Sequence, residues 1–302
     1  MIKRLILYCF GLFIAQNVMA QGVLVLGVAQ DAGHPQANCI KSCCNAAFQD
    51  PIKSHKVSSI AISDGSSFYI IDATPDFTTQ FQKAKEVFKD QTFGGIILTH
   101  AHIGHYTGLM YLGREAMNTE SVAVYVLPKM KAFLEGNAPW SQLDKLKNIK
   151  LIELNSNQRY SLSDDLAISP FIVPHRDEFS ETAGYSIEIR YNKTLFIPDI
   201  DKWELWDENI LELIKQHNYA LLDATFYDGK ELPGRDISKV PHPFVSESIK
   251  LFQSLTVDDK RKIYFIHLNH TNPLLNNQSE EFKVVASEMI NVASEGLILS
   301  VE

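Results

Sequence analysis

The sequence predicts an α/β fold, and three observations carry that prediction. Short apolar runs rich in Val, Ile and Leu alternate with amphipathic stretches along the chain after residue 20. Several of those runs stop at a histidine or an aspartate. No linker-like, repeated or low-complexity stretch interrupts them, so residues 21–302 are expected to form one domain. The 302 residues are 45% hydrophobic and 21% charged, ordinary globular material with ample length for a large core. A net charge of −8 argues against a general nucleic-acid binder, whose surface is normally basic. It leaves room for a small phosphate ester held in a local pocket.

Residues 1–20 are a different kind of text. Lys3 and Arg4 precede an apolar run over 5–15, and Val18-Met19-Ala20 makes a small-residue cleavage site. This reads as a secretory signal peptide with Gln21 as the mature start. The run is too short to span a bilayer comfortably, and no later segment is apolar enough to do so. The expectation is an exported protein, periplasmic or secreted, with no stable membrane insertion.

The first run, 23–28, reads as a buried strand that leads into a loop carrying Asp31 and His34 among turn-forming residues. Cys39, Cys43 and Cys44 follow. Export favours disulfides, yet a bond between adjacent cysteines is strained and three mature cysteines are an odd number. Either Cys39 closes a small loop with Cys43 or Cys44, or the thiolates join a fourth ligand around a metal. Runs 57–63 and 67–72 flank Asp64-Gly65, a hairpin signal. Residues 73–76 then open a helix with Thr74 or Asp76 near its N-cap. Asp72 and Asp76 are candidates for orienting ligand histidines, or for plain capping.

A buried strand over 94–98 runs straight into Thr99-His100-Ala101-His102-Ile103-Gly104-His105. Three of the ten histidines fall within six residues, just where the strand stops. In extended backbone His100 and His102 project to one side, and His105 comes round from the first turn of the next helix. Neutral imidazole suits zinc and similar metals, so the stretch is read as a metal site.

A helix is predicted over 107–117, a strand over 122–127 and a helix from Pro128. A strand over 166–173 ends at Pro174-His175. A hairpin of 184–190 and 193–197 around Tyr191-Asn192 ends at Pro198-Asp199-Ile200-Asp201. An amphipathic helix over 203–217 precedes a strand at 219–223. A polar loop then reaches Pro241-His242-Pro243 before a helix over 245–253. The strand over 262–266 ends in His267, with His270 close behind. A helix over 279–292 and a strand over 297–301 close the chain. Histidine- or aspartate-bearing loops thus follow four strands, which points to a composite site at one edge of a sheet.

The His100–His105 pattern resembles the His-x-His-x-Asp-His signature of the metallo-β-lactamase fold, with Gly104 in place of the aspartate. The fold this implies is an αββα sandwich, two mixed sheets face to face with helices outside. Within that fold the chain is most similar to the pyrroloquinoline-quinone biosynthesis protein B group. The residues carrying this are Gly33-His34-Pro35-Gln36 with the cysteines, Ser58-Ser59-Ile60-Ala61, Asp72-Ala73-Thr74-Pro75-Asp76, Thr107-Gly108-Leu109 and His270-Thr271-Asn272-Pro273. The phosphoribosyl cyclic phosphodiesterases are a related branch, with ribonuclease Z further off.

The resemblance implies a first metal site at His100, His102 and His175. It implies a second at His105, Asp199 and His267, with Asp199 as bridging carboxylate. A structural zinc would sit at Cys39, Cys43, Cys44 and His270, although the cysteine spacing differs from that of the phosphodiesterases. His242 resembles the histidine that assists phosphodiester cleavage, and also reads as a plain helix-start residue. Asp31 or Asp201 is the candidate to replace the missing carboxylate. The leading expectation is therefore a hydrolase of a small ester, with a phosphodiester as the substrate class the resemblance implies. Zinc would generate hydroxide from water at neutral pH, and His242 would protonate the leaving group. The alternatives are oxidation at a single iron, as in quinone biosynthesis, and a non-catalytic metal-binding relative. Two zinc ions, one iron or no metal would separate the three.

Overall fold

The computed structural model describes residues 21–301; the signal peptide expected at 1–20 lies outside them. The first half of the chain supplies β1 (Gly22–Gly27), β2 (Ser59–Ser63), β3 (Ser67–Ile71), β4 (Thr92–Ile97), β5 (Val122–Val126) and β6 (Ile149–Glu153). The second half supplies β7 (Tyr160–Ser161), β8 (Leu166–Val173), β9 (Thr182–Ile189), β10 (Asn192–Ile197), β11 (Tyr219–Asp223), β12 (Ile263–Ile266), β13 (Asn291–Val292) and β14 (Ile298–Ser300). They form two seven-stranded mixed sheets, ordered β14-β1-β2-β3-β4-β5-β6 and β13-β12-β11-β10-β9-β8-β7.

Strand periodicity builds the layers. In β1, Val23 and Val25 point into a core shared with Tyr185, Ile187, Phe196 and Leu221 of the other sheet. Leu24 and Leu26 point the opposite way, onto Phe77 and Ala84 of the helix α2 (Phe77–Val87). The second sheet repeats this. Leu195, Leu222 and Phe265 face outward onto the helices Ile210–Gln216 and Val245–Phe252. The result is the expected αββα sandwich. Among the described residues, no helix is long and apolar enough to cross a membrane.

Strand direction then places the site. β1, β3, β4 and β5 run parallel in the first sheet, because β2 is antiparallel to both β1 and β3. In the second sheet β8, β10, β11 and β12 run parallel, with β9 antiparallel to β8 and β10. Their C-terminal ends gather the Asp31, Asp72, His100, His175, Asp199, Asp223 and His267 loops at one edge.

Several expected elements are shorter or displaced. In place of a helix over 107–117 there is a four-residue α-turn, α3 (Ile103–Tyr106), and a 3-10 segment, Thr107–Leu112. The predicted 203–217 helix is broken: Trp203–Leu205 is one 3-10 turn, and the chain restarts at Asn209, whose side chain accepts from Leu211 N at 2.9 Å. The last helix stops at Ser287 because Met289 takes a positive φ of 61°, after which Asn291–Val292 joins the sheet. The β9–β10 turn is Arg190-Tyr191, one residue earlier than expected, since Ile189 pairs with Asn192. Strands β6 and β7 and the cysteine-bearing helix α1 (Ser42–Gln49) were not expected.

Candidate metal centre

The loop after β4 is held by both sheets. Leu98 N donates to Tyr125 O of β5 (3.0 Å), while Leu98 O accepts from the buried Tyr185 hydroxyl of β9 (2.7 Å). Thr99 O accepts from Ala183 N (3.0 Å), and Ala101 N donates to Ser180 Oγ (2.9 Å). Thr99 N donates to the Asp72 carboxylate (2.8 Å). A loop this heavily bonded presents its imidazoles from a fixed backbone.

Five histidines then share one arrangement: one ring nitrogen is tied to the protein and the other faces inward. His100 Nδ1–H donates to Thr99 Oγ1 (2.9 Å), and that hydroxyl donates in turn to Asp72. His105 Nδ1–H donates to Asp72 directly (2.7 Å). His175 Nδ1–H donates to Asp201 (3.1 Å). His267 Nδ1–H donates to Thr225 Oγ1 (2.9 Å), which donates to Asp223 (2.8 Å). His102 is turned over: Nε2–H donates to Glu178 (2.9 Å), and Nδ1 lies 2.9 Å from His100 Nε2. Fixing one nitrogen as a donor leaves the other a lone pair, the tautomer a metal requires.

The inward nitrogens converge on Asp199, which is almost fully buried. Its carboxylate lies 3.4 Å from His100 Nε2, 3.3 Å from His175 Nε2, 4.0 Å from His105 Nε2 and 3.9 Å from His267 Nε2. Two overlapping donor sets result, His100-His102-His175-Asp199 and Asp31-His105-Asp199-His267, with Asp199 common to both. Burial alone would push the Asp199 carboxyl up, but His175, His267 and His242 hold it well below the usual carboxylate range. Burial opposes charge on His105 and His175, yet Asp72 and Asp199 respectively raise each to about 10, so a metal bound there would displace a proton from each Nε2. Burial carries His100 well below its ordinary value.

Nε2 of His105, His175 and His267, together with Oδ1 of Asp31 and Asp199, are buried without a hydrogen-bond partner. Each such atom costs about 1–3 kcal/mol when left unsatisfied. Five in one cluster is a large penalty for a folded chain of marginal stability, and a cation among them removes it. The donor set therefore fits a metal cofactor.

A second group lies on α1, the loop before it and the loop after β12. Cys39 Sγ and Cys43 Sγ are 4.0 Å apart and Cys43 Sγ and Cys44 Sγ 3.9 Å, with His270 Nδ1 3.3 Å from Cys44 Sγ. These spacings are far beyond the ~2.05 Å of a disulfide. They match the ~3.8 Å edge of a tetrahedron with Zn–S bonds of ~2.3 Å. Burial pushes the Cys44 thiol up to about 12, so a cation is needed to hold it as thiolate.

The expected metal ligands and Asp31 are thus brought together, in two clusters. His242 also joins the first: its Nδ1–H donates to Asp223 (2.9 Å) and lies 3.3 Å from Asp199. Asp76 does not, because its carboxylate accepts from Val57 N (2.8 Å). Sequence reasoning assigned no role to Thr99, Thr225, Asp223 or Glu178. An aspartate closing a wholly apolar strand, as Asp223 does, was the one usable signal.

The fold agrees with comparison to known proteins. The beta-lactamase superfamily domain matches residues 68–268, and the chain belongs to that superfamily. Within it, the chain is similar to Coenzyme PQQ synthesis protein B. It is 26% identical to the Acinetobacter baylyi protein, over 92% of this chain and 99% of that one. It is 28% identical to the Klebsiella pneumoniae protein, over 93% and 98%. The crystal structure of Zn(2+)-bound PqqB from Methylobacterium extorquens superimposes with a TM-score of 0.79 at 23% identity, covering 92% of this chain and 99% of that one. A diphosphatase from the PhnP family superimposes with a TM-score of 0.67 at 21% identity, covering 94% and 98%.

Proposed function

We propose that this chain is an exported metal-dependent hydrolase of a small phosphodiester. The observation that carries the reading is Asp199 shared between two sets of inward-facing donors, an arrangement suited to a pair of ions. His100, His102 and His175 would hold one zinc ion and His105, Asp199 and His267 the other. Such a pair acidifies water to give a nucleophile at neutral pH and draws charge from the substrate's phosphoryl oxygens. Export rests on the leader-like text of residues 1–20.

The chain's own residues supply orientation and a proton. Asp72 and Asp223 each fix a Thr–His relay, one from each sheet, so the ligand nitrogens keep their direction without further ordering. With Nδ1–H held by Asp223, His242 exchanges protons at Nε2. Burial disfavours its charge, but Asp223 and Asp199 outweigh that and raise its pKa above the ordinary histidine value. A shift in that direction favours the protonated form, which donation to a leaving alkoxide requires. The cysteine cluster would hold a further, structural zinc.

Turnover of synthetic phosphodiesters tests this. His102→Ala should abolish hydrolysis while the fold is kept. His242→Ala should lower kcat by about 10²–10⁴ for an alkyl leaving group, yet little for p-nitrophenolate, which leaves unprotonated. Equal losses on both substrates would remove His242 from the acid role. No hydrolysis of either by the metal-loaded wild type would refute the hydrolase reading. A second reading, oxidation at one iron held by His100, His102 and His175, draws on the chain-long similarity to Coenzyme PQQ synthesis protein B. It requires iron, not zinc, in the purified protein.

A further inference from the structure

We infer that Asp31 supplies the carboxylate of the second ion site, and that residue 104 is glycine because the Asp31 backbone occupies the space of a side chain there. This rests on the two-ion reading above. A Cβ built on Gly104 would lie 2.4 Å from Asp31 Cα, 2.7 Å from its Oδ1 and 3.0 Å from its carbonyl oxygen. The first and last are backbone atoms, so no rotamer change relieves them. Gly104 lies within α3 and its φ is not left-handed, so the need is for space and not for backbone freedom.

The Asp31 loop is also tied to the site it would serve. Gln30 N donates to Leu268 O (2.9 Å), next to His267, and Asn269 Nδ2 donates to Gln30 Oε1 (2.6 Å). Gly33 N closes the turn on Gln30 O (2.8 Å). This aims Asp31 Oδ1 at His105 Nε2, 3.4 Å away. Oδ1 is buried, has no hydrogen-bond partner, and shares a donor set with His105, Asp199 and His267. The carboxylate missing from the histidine motif has thus been moved to the loop after β1, at the cost of any side chain at 104. The glycine marks relocation of a ligand rather than decay of a site.

Zinc titration of chelator-stripped protein, read as equivalents retained after gel filtration, tests this without measuring activity. Wild type should retain two ions besides that of the cysteine cluster. Asp31→Ala should retain one fewer. Gly104→Ala should lose the same equivalent although it removes no donor, because its Cβ displaces the Asp31 loop. If either variant fails to fold, Asp31→Asn decides, with an expected loss of more than ~10-fold in affinity for that ion. Full retention by folded Asp31→Ala, or by folded Asp31→Asn at unchanged affinity, overturns the inference. So does a wild type holding only one ion in the histidine cluster. A chain that binds its second ion through Asp31 but hydrolyses no phosphodiester keeps this inference and loses only the hydrolase reading.

Discussion

Asp72 shows how much chemistry one buried carboxylate directs. It takes a left-handed φ of 70°, strained for a residue with a Cβ, and accepts from Thr99 N, Thr99 Oγ1 and His105 Nδ1. Asp72→Asn preserves the shape but puts an amide N–H where an acceptor is needed. His105 must then turn over its tautomer, which protonates Nε2 and removes it as a ligand. The expected result is a loss of roughly 10–100-fold in zinc affinity with the fold intact. Competition with a chromophoric chelator reads it, and affinity within twofold of wild type would contradict the role. At this scale the histidines were legible because few residue types bind zinc and three stood together at a strand end. Thr99 and Thr225 were not, since a threonine beside a strand usually does nothing but pack. Asp31 was legible only as a candidate: the clash that explains Gly104 joins residues far apart in sequence.

At the scale of elements, the histidine loop depends on β9 as much as on its own strand. The Tyr185 hydroxyl, buried between the sheets, is the donor to Leu98 O. Tyr185→Phe leaves that carbonyl unsatisfied, at a cost of about 1–3 kcal/mol. Thermal denaturation should show a lower midpoint for the metal-free variant than for the metal-free wild type; equal midpoints would mean the bond contributes nothing. Strands were read well where both faces are buried, as in β1 and β11, because a short continuous apolar run between turn residues seldom forms anything but a buried strand. β6 escaped because Lys150 and Glu153 interrupt its pattern at the sheet edge, and α1 because its eight residues are too few to establish a helical period. The overlong helix expectations failed for local reasons, a capping asparagine at 209 and a left-handed residue at 289, which hydrophobic periodicity does not register.

For the whole molecule, the arrangement follows from strand direction. Parallel strands in both sheets end at one edge, so Asp31 and His105 from the first sheet meet His267 and Asp199 from the second across the sandwich. The recurrence of histidine or aspartate after strands foretold that edge, whereas the pairing of each carboxylate with its histidine needed the packed sheets. Donors drawn from elements so distant in sequence lie close together only in the folded chain, so metal bound by them would stabilise the fold itself. The measurement that bears most directly on this centre is the elemental content of the protein purified without chelator. Three zinc ions per chain are predicted, falling to two in Cys43→Ser, with the pair at the histidine cluster retained. One iron per chain, or no metal at all, would contradict a two-zinc hydrolase.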